Sequence, residues 1–261
     1  MITLSINIVY TPGYNELDLS KNRILQNQII RLTDEGIVVN ILVNGKSIQD
    51  ITESNHWMEQ CGENLHLYEW VKYRMYLGVA RNFLTSKTTT DWYIQADEDD
   101  WFENVENVLR LRVALEKIET PLAFYRSNCY SSDDHLIRRI PREEDNEIPS
   151  TFRFYYQYAI DNTVAYNTKK TSFLLRPAMN NGVDNIFSYM CAMYFPNASF
   201  IALEIYHYNQ GDAKMTNEGS KSKIEDDGFY FMDKYLNFNI LTVVKLCPGG
   251  TLKISWISDQ F

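Results

Sequence analysis

The chain has 261 residues, 45% of them hydrophobic, and its formal net charge at pH 7 is −9. This length and hydrophobic content predict one large domain, or one domain with a small appendage. The negative charge argues against a general attraction to a polyanion such as DNA or to an acidic membrane surface. The four cysteines lie far apart, without the CxxC pairs of a zinc site or the density of a disulfide framework.

The first residues, MITLSINIVY, lack the basic segment of a signal peptide and soon turn polar. No stretch approaches about 18 consecutive apolar residues, so no transmembrane segment is predicted. Together with the dispersed cysteines, these features predict a cytoplasmic protein. The location would be the host cytoplasm if a phage encodes the protein.

Strand and helix patterns alternate over about the first 130 residues. The segment ITLSINIVY is rich in β-branched residues and ends at a Thr11–Gly13 turn, which predicts a strand. Leu25, Ile29 and Leu32 then recur at helical spacing, and Gly36 stands where a helix C-cap belongs. The next predicted elements are the strands IVVNILVNG and HLYEW, a helix over residues 74–86, the strand WYIQAD, the helix VENVLRLRVALEKI and the strand LAFYRSNCY. This alternation predicts an α/β fold with a mainly parallel sheet and helices on both faces.

The second half of the chain is less regular. The patterns predict an exposed loop over residues 133–149, a strand FRFYYQYAI, a helix over residues 183–195, a strand SFIALEIYHY, a mobile segment over residues 208–227 and a C-terminal β-hairpin ILTVVKLCPGGTLKISWI. We therefore divide the chain into halves, residues 1–130 and 131–261, that form one continuous domain.

Four consecutive acids, Asp97 to Asp100, directly follow the strand WYIQAD. In an open parallel sheet, ligands bind beyond the carboxyl ends of the strands. Asp97 and Asp99 point the same way in an extended chain and can converge on one divalent cation. Mg²⁺ or Mn²⁺ takes one or two protein carboxylates and leaves its other positions to phosphate oxygens and water. A solvated acidic turn is the alternative.

The segment GVARNFLTSKTTTDWYIQADEDDWF resembles the signature of GT-A glycosyltransferases, especially family 2, in which an ARN helix precedes a strand ending in a D-x-D or D-x-D-D motif. Near the start, VYTPGYNE is similar to that family's P-x-Y-N turn. Further on, NNGVDNIFSYM resembles the stretch with the acceptor-side acid, and IYHYNQGDAKMT the segment that closes over the donor. The resemblance covers roughly residues 3–216. It implies a Rossmann-like GT-A fold with a nucleotide-sugar-binding half and an acceptor-side half that carries a closing loop.

The resemblance also implies roles for the residues around the acids. Asp97 would contact the nucleotide ribose or the metal, Asp99 would be the main ligand of a Mn²⁺ or Mg²⁺ ion on the donor diphosphate, and Asp100 would lie beside it near the substrate. Arg81 would face the nucleotide or the diphosphate, with a surface ion pair as the alternative. Asn82 would hold the acidic loop.

Later residues complete the implied site. Asp184 is the candidate catalytic base of an inverting transfer, or alternatively an N-terminal helix cap. Its neighbour Asn185 is a candidate substrate contact. His207 is a candidate third metal ligand, which would favour Mn²⁺, or alternatively a packed residue. Trp101 offers a flat face for a sugar or a base. For Tyr155, Tyr156 and Tyr158, ordinary packing is preferred.

One departure from family 2 concerns the nucleobase. Many members place Asp-Asp-Gly-Ser after the second strand, where an acid contacts uracil, whereas this chain has VNGKSIQD. Asn44 is expected to pair with a base edge, and Thr11, in the turn after the first strand, to contact the nucleotide. Which base is bound stays open, and a UDP-sugar is the default donor.

These features favour a metal-dependent glycosyltransferase that moves a sugar from a nucleotide-diphosphate sugar to a hydroxyl acceptor. A glycan or small hydroxyl compound is the favoured acceptor. The alternative is hydroxymethylcytosine in DNA, as in phage enzymes, with phosphate contacts from Arg138, Arg139, Arg142, Lys169 and Lys170. Outside this class stand a metal-dependent phosphodiesterase or nuclease and a non-catalytic nucleotide-sugar binder. The DEDD nuclease class scatters its acids over separate segments, whereas these four are contiguous.

Overall fold

The computed structural model describes residues 2–14, 17–52, 55–130, 136–140, 161–176, 178, 183–195, 198–209, 245–246 and 252–253. The strands are β1 (Leu4–Tyr10), β2 (Val38–Asn44), β3 (Leu65–Trp70), β4 (Trp92–Asp97), β5 (Trp101–Phe102), β6 (Leu122–Tyr130), β7 (Leu136–Ile140), β8 (Val164–Asn167), β9 (Ser199–Asn209), β10 (Lys245–Leu246) and β11 (Leu252–Lys253). The helices are α1 (Arg23–Asp34), α2 (Ile48–Thr52), α3 (Leu77–Lys87), α4 (Val105–Leu115), α5 (Thr168–Thr171) and α6 (Val183–Tyr194). Two 3₁₀ turns cover His56–Gln60 and Asp161–Thr163.

Strands from both halves of the chain belong to one sheet, in the order β3-β2-β1-β4-β8-β6-β9-β5, with β7 paired to β6. The first four strands are parallel, and β6 is parallel to β9. Strand β8 is antiparallel to both of its neighbours, and β5 is antiparallel to β9. The predicted α/β fold with a mainly parallel sheet is therefore confirmed. The antiparallel insertions are additions that the sequence patterns did not indicate.

The sheet reverses its winding between β1 and β4. From β1 the chain runs outward to β2 and β3 on one side, and it returns to β4 on the other side. In this register Val9, near the end of β1, pairs with Asp97, the last residue of β4. Such a switch point opens a crevice at the carboxyl ends of the strands, which is where open α/β sheets bind their ligands.

The central elements form where their sequences favour them. All seven residues of β1 are buried, as expected for an interior strand of a parallel sheet that is covered on both faces. Helix α1 begins where the Asn22 side chain accepts a hydrogen bond from the Leu25 amide at 3.1 Å. The helix ends shortly before Gly36, whose φ of 77° suits the left-handed conformation that often follows a helix.

Helix α3 delivers a charged residue to the interior. Its buried Ala80 and Leu84 pack with Val9 and Leu42 of the sheet. Arg81 follows Ala80 and is buried as well. The helix begins three residues later than predicted, at Leu77.

Two predictions for the second half differ from the structure. The exposed loop predicted over residues 133–149 is wrong for β7, which pairs antiparallel with β6, because its Leu and Ile residues favour a strand. The predicted mobile segment begins inside β9, and its residues 210–227 lie outside the described part, as does the strand FRFYYQYAI. Strands β10 and β11 pair antiparallel, in agreement with the predicted C-terminal hairpin.

None of the helices in the described ranges combines the length and apolar character needed to cross a membrane.

Candidate active site

The acidic run, Asp97 to Asp100, lies at the switch point and alternates in burial. Asp97 and Asp99 are partly exposed, whereas Glu98 and Asp100 are buried. Glu98 accepts a hydrogen bond from the Thr11 amide at 3.0 Å, and Asp100 accepts one from the Asn209 amide at 2.9 Å. Two of the four acids therefore fasten the loop to its neighbours, and the other two stand on the open side.

The backbone of the acidic run is held from α1. The side-chain amide of Asn22, which also caps that helix, donates to the carbonyl oxygens of Glu98 at 3.1 Å and of Asp100 at 2.9 Å. Asn82, which the resemblance placed in this role, lies elsewhere. Its amide binds the backbone of Arg176, with both distances at 2.8 Å.

The surroundings of the acidic run disfavour negative charge on its carboxyl groups. Burial raises the pKa of Glu98 and of Asp100 well above the ordinary values. Burial, together with the charge of Asp97, raises the pKa of Asp99 to about 7. A divalent cation on the solvent-exposed side of Asp97 and Asp99 would supply positive charge that stabilises the ionised carboxylates.

Arg81 touches three carboxylates that come from different elements. Its guanidinium donates to Asp97 at 2.7 Å and to Asp161 at 3.1 Å, and it also donates to Asp184. Only 2% of its side chain is exposed. Both sequence-based interpretations of Arg81, a nucleotide contact and a surface ion pair, are therefore replaced by a buried bridge.

Arg176 pairs with the second of these carboxylates. Its guanidinium makes two hydrogen bonds to Asp161, at 2.7 and 2.9 Å, and neither side chain is exposed. The Tyr166 hydroxyl donates to the same carboxylate. Although burial raises the pKa of Asp161, the charges of Arg176 and Arg81 outweigh it and keep that pKa below its ordinary value. We call Arg81, Asp97, Asp161, Arg176 and Asp184 the Arg81 cluster.

Asp184 is the second residue of α6, and its side chain is 35% exposed. Burial of the carboxyl group, opposed by Arg81, raises its pKa to about 6. The helix begins one residue earlier, so Asp184 does not occupy the capping position. A partly exposed carboxylate with this pKa suits proton transfer near neutral pH.

Two residues that the sequence did not single out orient Asp97 and its loop. Asn162 donates to the second carboxylate oxygen of Asp97 at 2.9 Å. The Tyr206 hydroxyl accepts from the Asp97 amide at 2.8 Å and donates to Asp100 at 2.9 Å. The polar run Asp161–Thr163, which interrupts an aromatic stretch, was the one local signal that could have marked this turn.

Asn44 and Thr11 lie at the carboxyl ends of β2 and β1, as predicted, but Asn44 has a different task. Its buried side chain accepts from the Met75 amide at 2.8 Å and donates to the Met75 carbonyl at 3.1 Å. The side-chain amide is also 3.5 Å from the Thr11 hydroxyl. These contacts hold the loop before α3, so the amide is not presented to a base edge.

Trp101 and His207 are cross-strand partners in β5 and β9. The His207 ring stacks on Trp101, with centroids 4.1 Å apart, and on Tyr130, with centroids 3.8 Å apart. Neighbouring residues of a strand point to opposite faces, and Tyr206 is the one directed at Asp97 and Asp100. These contacts support the packed interpretation of His207. Asn185 lies in α6, but its side chain is outside the described part of the chain.

Within the described residues, no group of three or more His, Cys, Asp or Glu side chains is arranged to hold a metal. Mg²⁺ and Mn²⁺ need only one or two protein carboxylates when phosphate oxygens and water complete the shell. Asp97 and Asp99 meet that requirement, and their oxygen donors suit these hard cations.

No sequence-family model and no curated protein sequence matches this chain, so its likeness to known proteins is structural. The structure of TarS 1-349 from S. aureus superposes with a TM-score of 0.61 at 14% identity, over 80% of this chain and 60% of that one. Its complex with UDP-GlcNAc gives the same TM-score and identity, over 59% of that chain. The mannosyltransferase PcManGT from Pyrobaculum calidifontis, in complex with GDP-Man and Mn²⁺, matches with a TM-score of 0.50 at 16% identity, over 77% of this chain and 55% of that one.

At such identities the likeness establishes the fold, and the present chain spans about 60% of the TarS 1-349 structure. The predicted Rossmann-like GT-A fold is confirmed. The chain shares this architecture with TarS 1-349 and with the mannosyltransferase PcManGT.

Proposed function

We propose that the protein is a metal-dependent glycosyltransferase that moves a sugar from a nucleoside-diphosphate sugar to a hydroxyl acceptor. The observation that carries this proposal is the bridge at the switch point. One guanidinium, that of Arg81, holds both Asp97 of the acidic run and Asp184, a carboxylate with a pKa of about 6. A candidate cation ligand and a candidate base are therefore held by the same guanidinium, and each is partly exposed.

Asp97 and Asp99 would hold the Mn²⁺ or Mg²⁺ ion. Both oxygens of Asp97 already accept hydrogen bonds, one from Arg81 and one from Asn162, which favours Asp99 as the principal ligand. When bound, the cation supplies positive charge to the diphosphate oxygens, on which negative charge builds up as the nucleotide leaves.

Asp184 would act as the base on the acceptor side. It takes the proton of the acceptor hydroxyl while that oxygen bonds to the anomeric carbon of the sugar. At the same time the bond from this carbon to the diphosphate oxygen breaks, and the nucleoside diphosphate departs as an anion. Attack opposite the leaving group inverts the anomeric configuration. At pH 7 a carboxyl group with a pKa of about 6 is mostly ionised and ready to accept the proton.

This proposal does not specify the nucleobase of the donor. UDP-sugars are the default, but the engaged amide of Asn44 removes the residue expected to read the base. TarS was captured with UDP-GlcNAc and PcManGT with GDP-Man, so this fold accommodates either nucleotide. Both UDP- and GDP-sugars therefore belong in the test.

A glycan or a small hydroxyl compound is the proposed acceptor. For the DNA alternative, the side chains of Arg138, Arg139 and Arg142 lie outside the described part of the chain. Lys169 and Lys170 lie on the short helix α5, where the Lys170 ammonium donates to the Glu119 carbonyl. Nothing in these contacts favours DNA over a glycan.

A metal-dependent phosphodiesterase is disfavoured by the use of the acids. A two-metal site must hold two cations about 4 Å apart, which takes several carboxylates on one side. Here Glu98 and Asp100 are buried and accept hydrogen bonds from backbone amides. A non-catalytic binder would share the binding site and is separated from an enzyme only by turnover.

The test combines binding with turnover. Calorimetry should show that UDP or GDP binds in the presence of Mn²⁺ or Mg²⁺, and that Asp99→Ala abolishes this binding while the circular dichroism spectrum is unchanged. A panel of UDP- and GDP-sugars with Mn²⁺ should contain one donor that is hydrolysed or transferred with inversion, read by NMR of the product anomer. Equal nucleotide affinity in wild type, in Asp99→Ala and with chelator would overturn the metal role. Binding without turnover of any donor would leave a non-catalytic binder.

A further inference from the structure

A closed ring of contacts runs through α3 and holds Arg81 in place. Arg81 binds Asp161, Asp161 binds the Arg176 guanidinium, and the Arg176 backbone is held at both its amide and its carbonyl by Asn82, the residue after Arg81. The ring therefore begins and ends on consecutive residues of one helix. Each link is buried or partly buried, so movement of any member would break hydrogen bonds that water could not readily replace.

Outside this ring, the Arg81 guanidinium reaches two partly exposed carboxylates. One terminal nitrogen donates to Asp97, which is 32% exposed, and the other donates to Asp184, which is 35% exposed. A guanidinium is planar and presents its donors in a fixed fork, so it sets the separation and orientation of the groups it binds. A lysine ammonium has neither property.

We propose that Arg81 is a positioning residue that ties Asp97 on the donor side to Asp184 on the acceptor side. Asp161, Arg176 and Asn82 anchor it, so occupancy of the cation site is linked to the placement of Asp184. The inference rests on the proposed function, because it assigns these two carboxylates their roles. It adds that the donor-side carboxylate and the acceptor-side carboxylate share the positive charge of Arg81.

The physical basis of the link is competition for the guanidinium. Three carboxylates share the positive charge of Arg81, and Arg176 adds a second charge that serves Asp161. If the negative charge of Asp184 is removed, Arg81 draws more strongly on Asp97 and makes it a poorer cation ligand. The loss of the Asp184 charge would also weaken cation binding by a direct electrostatic effect through space. That effect would not depend on the geometry of residue 81.

The test is a double-mutant cycle on Mn²⁺ binding, measured with Mn²⁺ alone by water-proton relaxation. We expect Asp184→Asn to weaken the affinity for Mn²⁺ about fivefold or more, which is within the usual range for linked sites. In the Arg81→Lys background, the same substitution should change the affinity by less than about twofold. Arg31→Lys is the matched control: it makes the same change in an exposed pair with Glu106, and should leave the response to Asp184→Asn intact.

The outcomes separate this inference from the proposed function. An equal response to Asp184→Asn in both backgrounds, or no response in wild type, overturns the inference. Wild type that binds no Mn²⁺ overturns the inference and the metal role together. A confirmed link in a protein that turns over no donor would overturn the proposed function alone.

Two further measurements keep the inference open to refutation. If Arg81→Lys loses its fold, Asn82→Ala replaces it, since this variant loosens the ring but keeps all ion pairs, and it should reduce the response to Asp184→Asn. With an active donor, Arg81→Lys should lower kcat by a larger factor than it raises the nucleotide Kd. If Arg81 had a purely structural role, Arg81→Lys would not affect kcat more than it affects the nucleotide Kd.

Discussion

The acidic run and the Arg81 cluster are both built from buried and half-buried carboxylates, yet the protein treats their charges in opposite ways. In the acidic run, hydroxyl and amide groups contact Glu98 and Asp100, and the pKa values of both are raised by burial. In the Arg81 cluster, two buried guanidinium groups serve the carboxylates, and the pKa of Asp161 is lowered. Asp97 belongs to both regions.

The difference separates two ways in which the protein treats buried negative charge. Buried negative charge that the protein neutralises with its own arginines stabilises the fold as a pair, because removing either partner leaves an unpaired charge in the protein interior. Burial raises the pKa of carboxyl groups that mainly neutral groups contact, and this favours the cation proposed for the acidic run. The number of acids in a segment is therefore less informative than the groups that face them.

The strongest test of this contrast is removal of the charge of Asp161. Asp161→Asn leaves Arg176 without its ionic partner in a fully buried position, so we expect the free energy of unfolding to fall by about 3–5 kcal/mol. Urea unfolding at pH 7 measures it. Glu106→Gln removes the partner of the exposed Arg31 and should have a far smaller effect. A loss below about 1 kcal/mol for Asp161→Asn would show that the Arg81 cluster does not hold the fold.

The next test uses pH, because Asp99 of the acidic run and Asp161 of the Arg81 cluster respond with opposite signs. The folded pKa of Asp99, about 7, exceeds its ordinary 3.8, so its contribution to stability is complete below about pH 4 and is lost as the pH rises to about 7. Glu98 and Asp100 shift in the same direction. The pKa of Asp161 is lowered, so its contribution is lost only when the pH falls below the ordinary range of Asp.

In chelator, the free energy of unfolding should therefore fall between pH 5 and pH 8, by on the order of 2 kcal/mol for Asp99 after allowance for its partial exposure. Asp99→Asn should flatten this slope, and Mn²⁺ should stabilise the wild type more at pH 8 than at pH 5. A slope that is the same in wild type and in Asp99→Asn would place the uncompensated charge elsewhere.

Asp184 is the exception within the Arg81 cluster, because it lies beside Arg81 and still has a raised pKa of about 6. If Asp184 is the base, transfer requires its ionised form, and the rate should rise about tenfold from pH 5 to a plateau above pH 7. The measurement is kcat with saturating donor and Mn²⁺, conditions in which the metal ligands no longer titrate. A rate independent of pH over this range would remove Asp184 from the proposed role.

Much of the fold was accessible from the sequence because its signals are local. The apolar runs of β1, β2 and β4, the helical spacing of α1 and the alternation of strands and helices each depend on residues within a few turns of one another. The location of the acidic run follows from the same reasoning, since the end of a buried parallel strand is a known binding edge.

The Arg81 cluster was beyond such reasoning because its contacts are long-range. Arg81 lies 80 residues from Asp161 and 103 residues from Asp184 along the chain. Charged residues are rarely buried, so pattern arguments assign them to the surface or to a ligand. Asn44 illustrates the same limit: its position was predicted, but the direction of its amide is decided by the Met75 backbone.

The smallest expected effect concerns His207, which the sequence allowed as a third metal ligand. His207→Phe keeps a flat ring between Trp101 and Tyr130 and removes both nitrogens. The Nδ1 atom lies 3.8 Å from the Glu103 carboxylate, which is beyond hydrogen-bond distance. We expect the affinity for UDP or GDP with Mn²⁺ to change by less than about threefold, since a packed residue contributes no ligand.

His56→Phe is the matched control, because His56 is exposed and pairs only weakly, at 3.6 Å, with Glu59. Calorimetry on both variants, with Mg²⁺ as well as Mn²⁺, distinguishes the two interpretations. A ligand role would cost about tenfold or more in His207→Phe alone, and would cost more with Mn²⁺, because imidazole favours that ion. Such a loss would place His207 with the acidic run and would mean that the ring leaves its stack when the cation binds.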